Sequence, residues 1–331
     1  MSFANVGVIG SGSWGTALSL LLVENGLPVT LWGHDPAHTA RMRETRTNPE
    51  YLPGIALPER LALADTLEDL HACDLLLVVT PSKAVREVAA RIRAARPQPG
   101  AVLLSCTKGV ERGTGLRMSQ ILSESLPGHP VAVLSGPSHA EEVARKLPTC
   151  VVLGSPDAAV AQRLQRAFSA AWFRAYTNDD VAGIELGGAL KNIFAIAAGV
   201  CDGLGLGDNA KAALVTRALV ELGRLAVALG ARRETLMGLG GLGDLMVTCF
   251  SRHSRNRAVG ERLGKGESLA EIERTMRMVA EGVPTTHSAF ECAQRCGIEV
   301  PVIEQVKAIL EGRIGPAEAL ARLFSRDPKA E

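Results

Sequence analysis

The first half of the chain alternates short apolar runs with stretches of helical pattern. The runs are rich in β-branched residues and carry few polar positions, which is typical of strands buried on both faces. We predict strands at Val6–Gly10, Val29–Gly33, Asp74–Thr80, Val102–Cys106, Val131–Ser135, Cys150–Gly154 and Phe173–Thr177, with a weaker candidate near Leu61–Ala64. Because helical patterns separate most of these strands, we expect a parallel, doubly wound sheet.

Three segments of this half carry the polar residues that begin helices. Thr66 precedes LEDL, Ser138 precedes HAEEV, and Ser155 is followed by Pro156 and Asp157. A hydroxyl at this place accepts hydrogen bonds from N–H groups that have no partner within the helix, and proline fits the first helical position. We therefore predict a helix after each of the three.

From Asp179 onward nearly every segment has helical periodicity. Long helices are predicted through GIELGGALKNIFAIAAGV and NAKAALVTRALVELGRLAVALG, and shorter ones after Ser254, Ser268, Thr286, Pro301 and Pro316. Ser268 and Glu271 form a capping box. A chain of 331 residues is long enough for two domains. We predict an α/β, Rossmann-like domain at residues 1–178 and an all-helical domain at residues 179–331.

Composition and charge narrow the classes of function. Apolar residues make up 47% of the chain and charged residues 21%, which is ordinary for a globular protein. The formal net charge of +1 gives no bulk attraction to nucleic acid or to a membrane surface, so we expect neither as a partner. No apolar stretch reaches the roughly 18 residues of a membrane span, and no secretory signal pattern precedes the first strand.

The seven cysteines are scattered without a CxxC pair, and most of them lie in apolar runs. This pattern is typical of reduced, buried thiols in a cytoplasmic protein. Cys292 and Cys296 lie at i, i+4 on a predicted helix and could share a metal, but no nearby histidine or second pair of ligands completes a site. We therefore expect a cytoplasmic protein that binds no metal.

A glycine-rich turn follows the first predicted strand. Gly10, Gly12 and Gly15 match G-x-G-x-x-G between an apolar strand and an amphipathic helix. In that context the glycines allow a tight turn, the close approach of a pyrophosphate and close packing of helix on strand. The N-terminus of the helix offers N–H groups and a positive dipole end to phosphates. The turn predicts dinucleotide binding, and a plain structural corner is the alternative.

The end of the second strand bears on the choice between NAD and NADP. An NAD-selective site usually carries a carboxylate there for the ribose 2′-hydroxyl. Here the strand ends at Gly33, followed by His34 and Asp35. A glycine at this position leaves NADP allowed, and His34 can contact either ribose form or lie in solvent as a loop residue.

Two further elements follow strands of the same sheet. Lys108 comes just after a strand in SCTKGVE, and LSGPSHAEE places Gly136, Ser138 and Ala140 at the opening of a helix. Ligands of doubly wound sheets bind at the carboxyl ends of the strands. An ammonium and a helix N-terminus at that edge favour an anionic group, whereas a surface lysine and an ordinary helix cap are the alternatives.

The helical half contains a lysine in an apolar setting. Lys191 lies in the middle of LGGALKNIFAIAAG, and a buried lysine is rare without a partner or a task. The alternative is a lysine whose head reaches water. Gly183, Gly187 and Gly188 each cost that helix about 1 kcal/mol relative to alanine, so we expect another segment to approach its backbone closely.

A second polar group in this half lies in MGLGGLGDLMVTCFSRHSRNR. Asp244 falls in a glycine-rich loop, and Ser254 is predicted to cap a helix whose first turn holds Arg255 and Asn256. The helix dipole disfavours a cation in a first turn, and a bound anion removes that penalty. The group predicts a phosphate receptor, with a basic solvated face as the alternative.

Together these motifs resemble the bacterial type of NAD(P)-dependent glycerol-3-phosphate dehydrogenase. The similarity covers nearly the whole chain, in the order GSGSWGTAL, LWGHDP, TKG, SGPSHAEE, LGGALKNIFAIAAG, GLGDLMVTC, SRNR and VAEG. The resemblance implies reversible NAD(P)H-dependent reduction of dihydroxyacetone phosphate to sn-glycerol 3-phosphate, the precursor of phospholipid backbones. It leaves NADH or NADPH preference open and allows a homodimer.

The resemblance also implies roles for individual residues. The implied cofactor contacts, in addition to the three glycines of the turn, are Ser13, Trp14, His34, Lys108, Ala140, Arg255, Val279 and Glu281. The implied substrate contacts are Lys108, Gly136, Ser138, Lys191, Asp244, Ser254, Arg255 and Asn256. Lys191 is similar to the family's proton-transferring lysine, with Asp244 and Lys108 as the other catalytic candidates.

Two other functions remain open on the sequence. One is a two-domain dehydrogenase of the 6-phosphogluconate dehydrogenase-like type, which also uses a helix lysine but in which we do not expect both GLGDL and SRNR. The other is a non-catalytic NAD(P)H-binding redox sensor, which would need the turn at Gly10 but not Lys191 with Asp244.

Overall fold

The computed structural model describes residues 2–276 and 279–325. The chain forms two compact units. The first comprises Met1–Lys108 and Arg117–Glu185, and the second comprises Gly109–Leu116 and Leu186–Glu331. The predicted division after residue 178 used a single boundary, whereas the chain passes between the units three times.

The first unit is an α/β domain built on one large sheet. The strands are β1 Val6–Ile9, β2 Val29–Trp32, β3 Thr47–Asn48, β4 Leu52–Ala56, β5 Leu61–Ala64, β6 Leu75–Val78, β7 Val102–Ser105, β8 Val131–Ser135, β9 Thr149–Gly154 and β10 Phe173–Asn178. Eight of them form the sheet in the order β10-β9-β8-β7-β6-β1-β2-β5. All eight predicted strands, including the weaker candidate at β5, lie in this sheet. The sequence did not predict β3 and β4, which pair with each other.

The prediction of a wholly parallel sheet is wrong at one pair of strands. β9 runs antiparallel to β8, while the other neighbouring pairs are parallel. The helix between β8 and β9 has only five residues, Ala140–Ala144, which span about 7.5 Å. Such a helix is too short to carry the chain back to the other end of the sheet, where a parallel strand would begin. β9 therefore returns alongside β8 in the opposite direction.

The helices surround this sheet in the first unit and make up the second unit. They are α1 Ser13–Glu24, α2 Pro36–Thr45, α3 Val85–Ala94, α4 Met118–Ser125, α5 Ala140–Ala144, α6 Ala158–Phe168, α7 Val181–Gly203, α8 Gly207–Ala228, α9 Arg233–Leu236, α10 Asp244–Phe250, α11 Arg255–Gly264, α12 Leu269–Thr275, α13 Gly282–Cys296, α14 Pro301–Leu310 and α15 Pro316–Phe324. The capping box at Ser268 and the first-turn prolines of α14 and α15 are as predicted.

Four predicted helix starts were wrong. After Thr66 the chain makes only a single 3₁₀ turn at Glu68–Leu70. The α5 cap position is His139 rather than Ser138, and Asp157 rather than Ser155 caps α6 by accepting from Ala159 and Val160 N–H. Thr286 lies inside α13, which begins earlier, at Gly282. α13 accommodates Pro284 because N–H groups of a first turn have no helical partner to lose.

Each unit has its own apolar core. In the second unit the core is centred on α7, whose central residues from Leu186 to Ile196 include many with almost no exposed surface. Among the described residues α7 is the one helix long and apolar enough to cross a membrane, but that stretch is entirely buried in the protein. Burial of this kind is what a core helix shows.

Residues 109–116 leave the first unit and pack on α13. Gly113 N–H donates to Glu291 Oε2 at 3.1 Å. Arg295 Nη1 donates to the carbonyls of Gly113 and Thr114, at 3.2 Å in each case. This segment directly follows Lys108, so its anchoring fixes the chain beyond that residue.

Candidate active site

The glycine-rich turn has the geometry of a phosphate-binding loop. Gly10 has φ of +124°, and a Cβ there would lie 2.3 Å from the carbonyl oxygen of Val79. A Cβ on Gly15 would lie 1.8 Å from the Gly10 carbonyl oxygen, so α1 packs directly on the turn. A Cβ on Gly12 would meet no protein atom within 4 Å. Two glycines are therefore required by packing, and the third faces open space.

That open space lies at the N-terminus of α1. Gly12 occupies the cap position with extended backbone and no capping side chain, so the first N–H groups of the helix are not covered by a polar side chain of that residue. A pyrophosphate fits such a position by size and charge. Ser13 is buried and Trp14 is half-buried in the first turn. The residues present thus fit a dinucleotide.

Packing explains the glycine at the end of β2. A Cβ on Gly33 would lie 2.3 Å from Ser11 Oγ, so the turn itself excludes a side chain there. The Asp35 carboxylate caps α2 by accepting from Ala37 N–H at 2.9 Å. The His34 side chain is exposed. Gly33 is thus explained by its contact with the turn, and no carboxylate replaces it at the strand tip.

The carboxyl ends of β7 and β8 bring three of the predicted residues together. Lys108 Nζ donates to the carbonyl of Gly136 at 3.3 Å, and Ser138 Oγ donates to the same oxygen at 3.1 Å. Gly136 has φ of +125°, which favours glycine. Thr107 Oγ1 bonds the carbonyl of Thr80 at 2.7 Å and so ties β6 to the residue before Lys108. Ala140 is buried at the start of α5.

The prediction of a buried, partnered Lys191 is confirmed by its contacts. Lys191 lies among buried groups and is 6% exposed, and Asp244 and Thr248 are 1% and 3% exposed. Lys191 Nζ donates to Asp244 Oδ1 and, at 2.5 Å, to Thr248 Oγ1. Thr248 Oγ1 in turn donates to the Asp244 carbonyl at 2.6 Å. The ammonium is therefore held by a carboxylate and a hydroxyl one helical turn apart.

The glycines of α7 explain how Asp244 reaches the lysine. Gly187 lies one turn before Lys191, and a Cβ on it would be 2.4 Å from the Gly240 carbonyl oxygen. The π-helical turn Leu239–Gly243 packs there and leads directly into α10. Asp244 is the first residue of α10, so its predicted place in a glycine-rich loop was wrong. The glycines serve close packing rather than a loop.

α11 begins where the sequence predicted, with Ser254 as its cap. Ser254 Oγ accepts from Arg257 N–H at 3.2 Å, so Ser254 is the N-cap. Arg255 is exposed, and its Nη1 donates to the carbonyl of Val279 at 3.1 Å. Glu281, two residues after Val279, is the cap position of α13. Arg255 thus links the α11 terminus to the segment carrying two implied cofactor contacts.

Asn256 ties three helices together through its carboxamide. Its Nδ2 donates to Asn192 Oδ1 at 2.9 Å, and its Oδ1 accepts from Gly282 N–H at 2.8 Å. Asn192 is the neighbour of Lys191 on α7, and Gly282 begins α13. The side chain of Asn256 therefore fixes the relative positions of the lysine helix and the two helix N-termini.

Sequence reasoning missed Thr107, Asn192 and Thr248. Thr248 lies four residues after Asp244 on the same helix face, a spacing that marks it once α10 is known to begin at Asp244. Thr107 and Asn192 adjoin lysines that were singled out, so their positions were the available signal.

The remaining titratable groups do not form a metal site. Within residues 2–276 and 279–325, no group of three or more His, Cys, Asp or Glu side chains could hold a metal ion. All seven cysteines are free thiols, and five of them are buried. Burial raises the pKa of Cys73 to about 11 and that of Cys249 to about 12, so these thiols stay protonated near neutrality.

Two family models match consecutive parts of the chain. The model for the N-terminus of NAD-dependent glycerol-3-phosphate dehydrogenase matches residues 5–161, and the model for its C-terminus matches residues 180–321. The chain is 48% identical over 330 residues to "Glycerol-3-phosphate dehydrogenase [NAD(P)+]" of Geobacter metallireducens, covering 98% of each protein. It is 45% identical over 331 residues to the enzyme of the same name from Chlorobium limicola, covering 99% of each.

A solved structure agrees with these relatives. The crystal structure of glycerol-3-phosphate dehydrogenase from Coxiella burnetii has a TM-score of 0.94 and 40% identity to the chain, and the match covers 98% of this chain and 99% of that one. The family models match most of the chain, and the relatives match along nearly their full length. The chain belongs to the NAD-dependent glycerol-3-phosphate dehydrogenase family.

Proposed function

We propose that the protein catalyses the reversible NAD(P)H-dependent reduction of dihydroxyacetone phosphate to sn-glycerol 3-phosphate and so supplies glycerophospholipid synthesis. The observation that carries the proposal is the buried Lys191, held by Asp244 and Thr248 in a chain of this family. A protein that only bound NAD(P)H would gain nothing from burying a charged lysine in its helical core.

Lys191 is the proton donor of the proposed reaction. Its ammonium bonds the C2 oxygen of the substrate and transfers a proton as negative charge develops there; in the reverse direction the neutral amine takes the proton back. The bound reduced nicotinamide supplies the hydride. Asp244 and Thr248 hold Nζ in one direction, and their bonds restrict it to the geometry that proton transfer needs.

The α11 N-terminus is the proposed receptor for the substrate phosphate. Ser254 and Arg255 supply a hydroxyl and a guanidinium, and the first-turn N–H groups of α11 supply the dipole end. Because the Asn256 carboxamide is bonded to Asn192 and Gly282, we assign its contribution to the backbone N–H. Lys108, Gly136 and Ser138 are the proposed substrate contacts of the first unit.

The proposed cofactor contacts lie at the glycine turn and in the segments that the resemblance named. They are Gly10, Gly12, Ser13, Trp14, Gly15, His34, Lys108, Ala140, Arg255, Val279 and Glu281. The open space at Gly12 and the uncapped α1 terminus support the pyrophosphate position. A cytoplasmic location and a homodimeric state belong to the same proposal; the free thiols suit a reducing compartment.

A substrate panel tests the activity directly. Purified protein should oxidise NADH or NADPH with dihydroxyacetone phosphate, and it should not reduce NAD or NADP with 6-phosphogluconate or a 3-hydroxyacid. Turnover of 6-phosphogluconate or a 3-hydroxyacid alone would favour the other dehydrogenase class, and tight NADPH binding without any turnover would favour the redox sensor.

The same assay measures cofactor preference. Because β2 ends at Gly33 without a carboxylate, comparable rates with NADH and NADPH are expected, and a preference above roughly a hundredfold would contradict that expectation.

Arg255→Ala tests the phosphate receptor. Losing a hydrogen bond to a charged group costs about 1.5–3 kcal/mol, so KM for dihydroxyacetone phosphate should rise roughly 10- to 100-fold. The matched control is Arg252→Ala, since Arg252 is exposed a few residues earlier. An unchanged KM in Arg255→Ala, or an equal rise in the control, would place the phosphate elsewhere.

A further inference from the structure

We infer that Asn48 is a positioning residue for the pyrophosphate of the dinucleotide, acting through the glycine turn. The inference rests on the proposed cofactor site but concerns a residue that neither the sequence motifs nor the resemblance singled out. Asn48 lies in β3, part of the small hairpin that the sequence did not predict. Its side chain is fully buried, and buried amides need partners for each polar atom.

Both ends of the Asn48 carboxamide are bonded. Nδ2 donates to the carbonyl of Ser11 and to Thr16 Oγ1, each at 2.8 Å. Oδ1 accepts from Tyr51 N–H at 3.4 Å, within the hairpin turn. Ser11 lies between the first two glycines of the turn, and Thr16 follows the third. One side chain therefore holds the turn at its start and at the beginning of α1.

The bond to Ser11 fixes the direction of a phosphate-binding group. In a trans peptide the carbonyl of one residue and the N–H of the next point in opposite directions. None of the described peptide bonds is cis. When Asn48 holds the Ser11 carbonyl, the Gly12 N–H points in the opposite direction within the same peptide plane, away from Asn48. Gly12 is the residue beside which the space is open. Asn48 thus presets a donor and keeps a repelling carbonyl turned away.

The hairpin is itself anchored, so Asn48 is not carried on a loose loop. Arg41 Nη2 on α2 donates to Glu50 at 2.5 Å, and the His38 ring packs edge-on against Tyr51 at 5.2 Å between centroids. Leu52, the β4 partner of Asn48, is 2% exposed in the core of the first unit. These contacts give the amide a fixed place from which to hold the turn.

Direct binding measurements on the full-length protein test the inference. The probes are ADP-ribose, which has the pyrophosphate but no nicotinamide, and NADPH, titrated calorimetrically. Asn48→Ala should weaken both by a similar factor of about tenfold or more, since it removes the two short hydrogen bonds to the turn and leaves the Ser11 carbonyl with only a long bond of 3.4 Å from Thr16 Oγ1. kcat at saturating cofactor should stay within about twofold of the wild type, because Asn48 sets a binding contact and no proton-transfer group.

Asn25→Ala is the matched control. Asn25 caps the other end of α1, and its Nδ2 also donates to two carbonyls, those of Ala167 at 2.8 Å and Ser169 at 3.3 Å. It should leave ADP-ribose affinity unchanged. Equal losses in Asn25→Ala and Asn48→Ala, or unchanged binding in Asn48→Ala, would overturn the inference.

A second variant covers the case in which Asn48→Ala does not fold. Thr16→Val removes one of the two acceptors, and it should weaken ADP-ribose binding less than Asn48→Ala but measurably; unchanged affinity would count against the inference. The outcomes also separate this inference from the proposed function. A wild type that binds ADP-ribose but does not reduce dihydroxyacetone phosphate contradicts only the proposed activity, and a wild type that fails to bind ADP-ribose removes the cofactor site on which Asn48 acts.

Discussion

The glycine turn of the first unit and the lysine cluster of the second, Lys191 with Asp244 and Thr248, differ in the groups that form them. Main-chain atoms form the turn, and polar and charged side chains form the cluster. In the turn, Gly10 and Gly15 bring backbone against backbone, and the groups proposed to contact the cofactor are main-chain N–H groups. In the cluster, Lys191 and Asp244 are charged side chains with almost no exposed surface. The first is a backbone cavity proposed to hold an anion, and the second is a buried ion pair proposed to transfer a proton.

This difference determines how each region tolerates change. A backbone site needs the absence of side chains, so adding a single methyl group either blocks the ligand or disrupts the packing, depending on the glycine. A buried ion pair needs both partners, because removal of one leaves the other charge uncompensated at a cost of about 3–5 kcal/mol. The following predictions test that contrast, in order of decreasing effect.

Lys191→Met should have the largest effect. It removes the proposed proton donor, whose contribution to rate is between about 10²- and 10⁴-fold, while ADP-ribose and NADPH binding at the turn should survive. Lys211→Met is the control, since Lys211 is equally buried but pairs with Asp202. Steady-state rates and calorimetric affinities for both variants measure the difference. Retained turnover in Lys191→Met, or an equal loss in Lys211→Met, would remove Lys191 from the proton step.

Gly12→Ala and Gly15→Ala should separate ligand space from packing space. The methyl group of Gly12→Ala enters open space, so the protein should keep its thermal stability but bind ADP-ribose about tenfold more weakly or worse. The methyl group of Gly15→Ala would collide with the Gly10 carbonyl, and such overpacking costs about 1–3 kcal/mol. Thermal unfolding and calorimetry compare the two. Normal affinity in Gly12→Ala would mean that the open space holds no phosphate.

Thr248→Val should lower kcat by about tenfold, since the lysine loses the Thr248 hydroxyl as an acceptor and a bond to a charged group is worth about 1.5–3 kcal/mol. Thr248→Ser keeps the hydroxyl and should restore most of the rate. KM for the cofactor should not change in either variant. If valine and serine behaved alike, the hydroxyl would have no part in holding Nζ.

His287 on α13 should give a small acid-dependent effect on stability. Burial, followed by the charge of Arg112, lowers its pKa below the usual 6.5, although Glu311 opposes this. The unfolded state therefore binds a proton more readily, so the contribution to stability is complete above pH 6.5 and is lost as the pH falls through the lower pKa of the folded state. His287→Gln should reduce the drop in unfolding temperature between about pH 7.5 and pH 5.5 by roughly a degree, whereas the same change at exposed His71 should not. An unaltered pH dependence in His287→Gln would contradict the assignment.

The sequence predicted the turn well because its requirements are local. A strand, three spaced glycines and a helix lie within one short segment, and steric rules dictate each glycine. The direction of β9 could not be predicted in the same way, since an apolar run looks alike in a parallel or antiparallel neighbour. The short length of α5 explains the antiparallel direction of β9.

The cluster was predicted only in part. The improbability of a buried lysine marked Lys191, but the glycines before Asp244 suggested a loop. A Cβ on Gly241 would lie 2.1 Å from the Leu236 carbonyl oxygen, so that glycine is explained by packing. No sequence signal identified Thr248 until the start of α10 was known. The β3–β4 hairpin was missed because its strands are short and contain Pro53 and Gly54, which normally indicate a turn.

The segment 109–116 is synthesised well before the helix that anchors it. A ribosome releases this stretch long before it makes Glu291 and Arg295, which later anchor Gly113 and Thr114. Until then, residues 109–116 of the nascent chain follow β7 without the helix α13 on which they later pack. Cutting the gene after residue 178 would place this stretch and its anchor on different polypeptides, whereas cutting it after Lys108 would keep them on the same one.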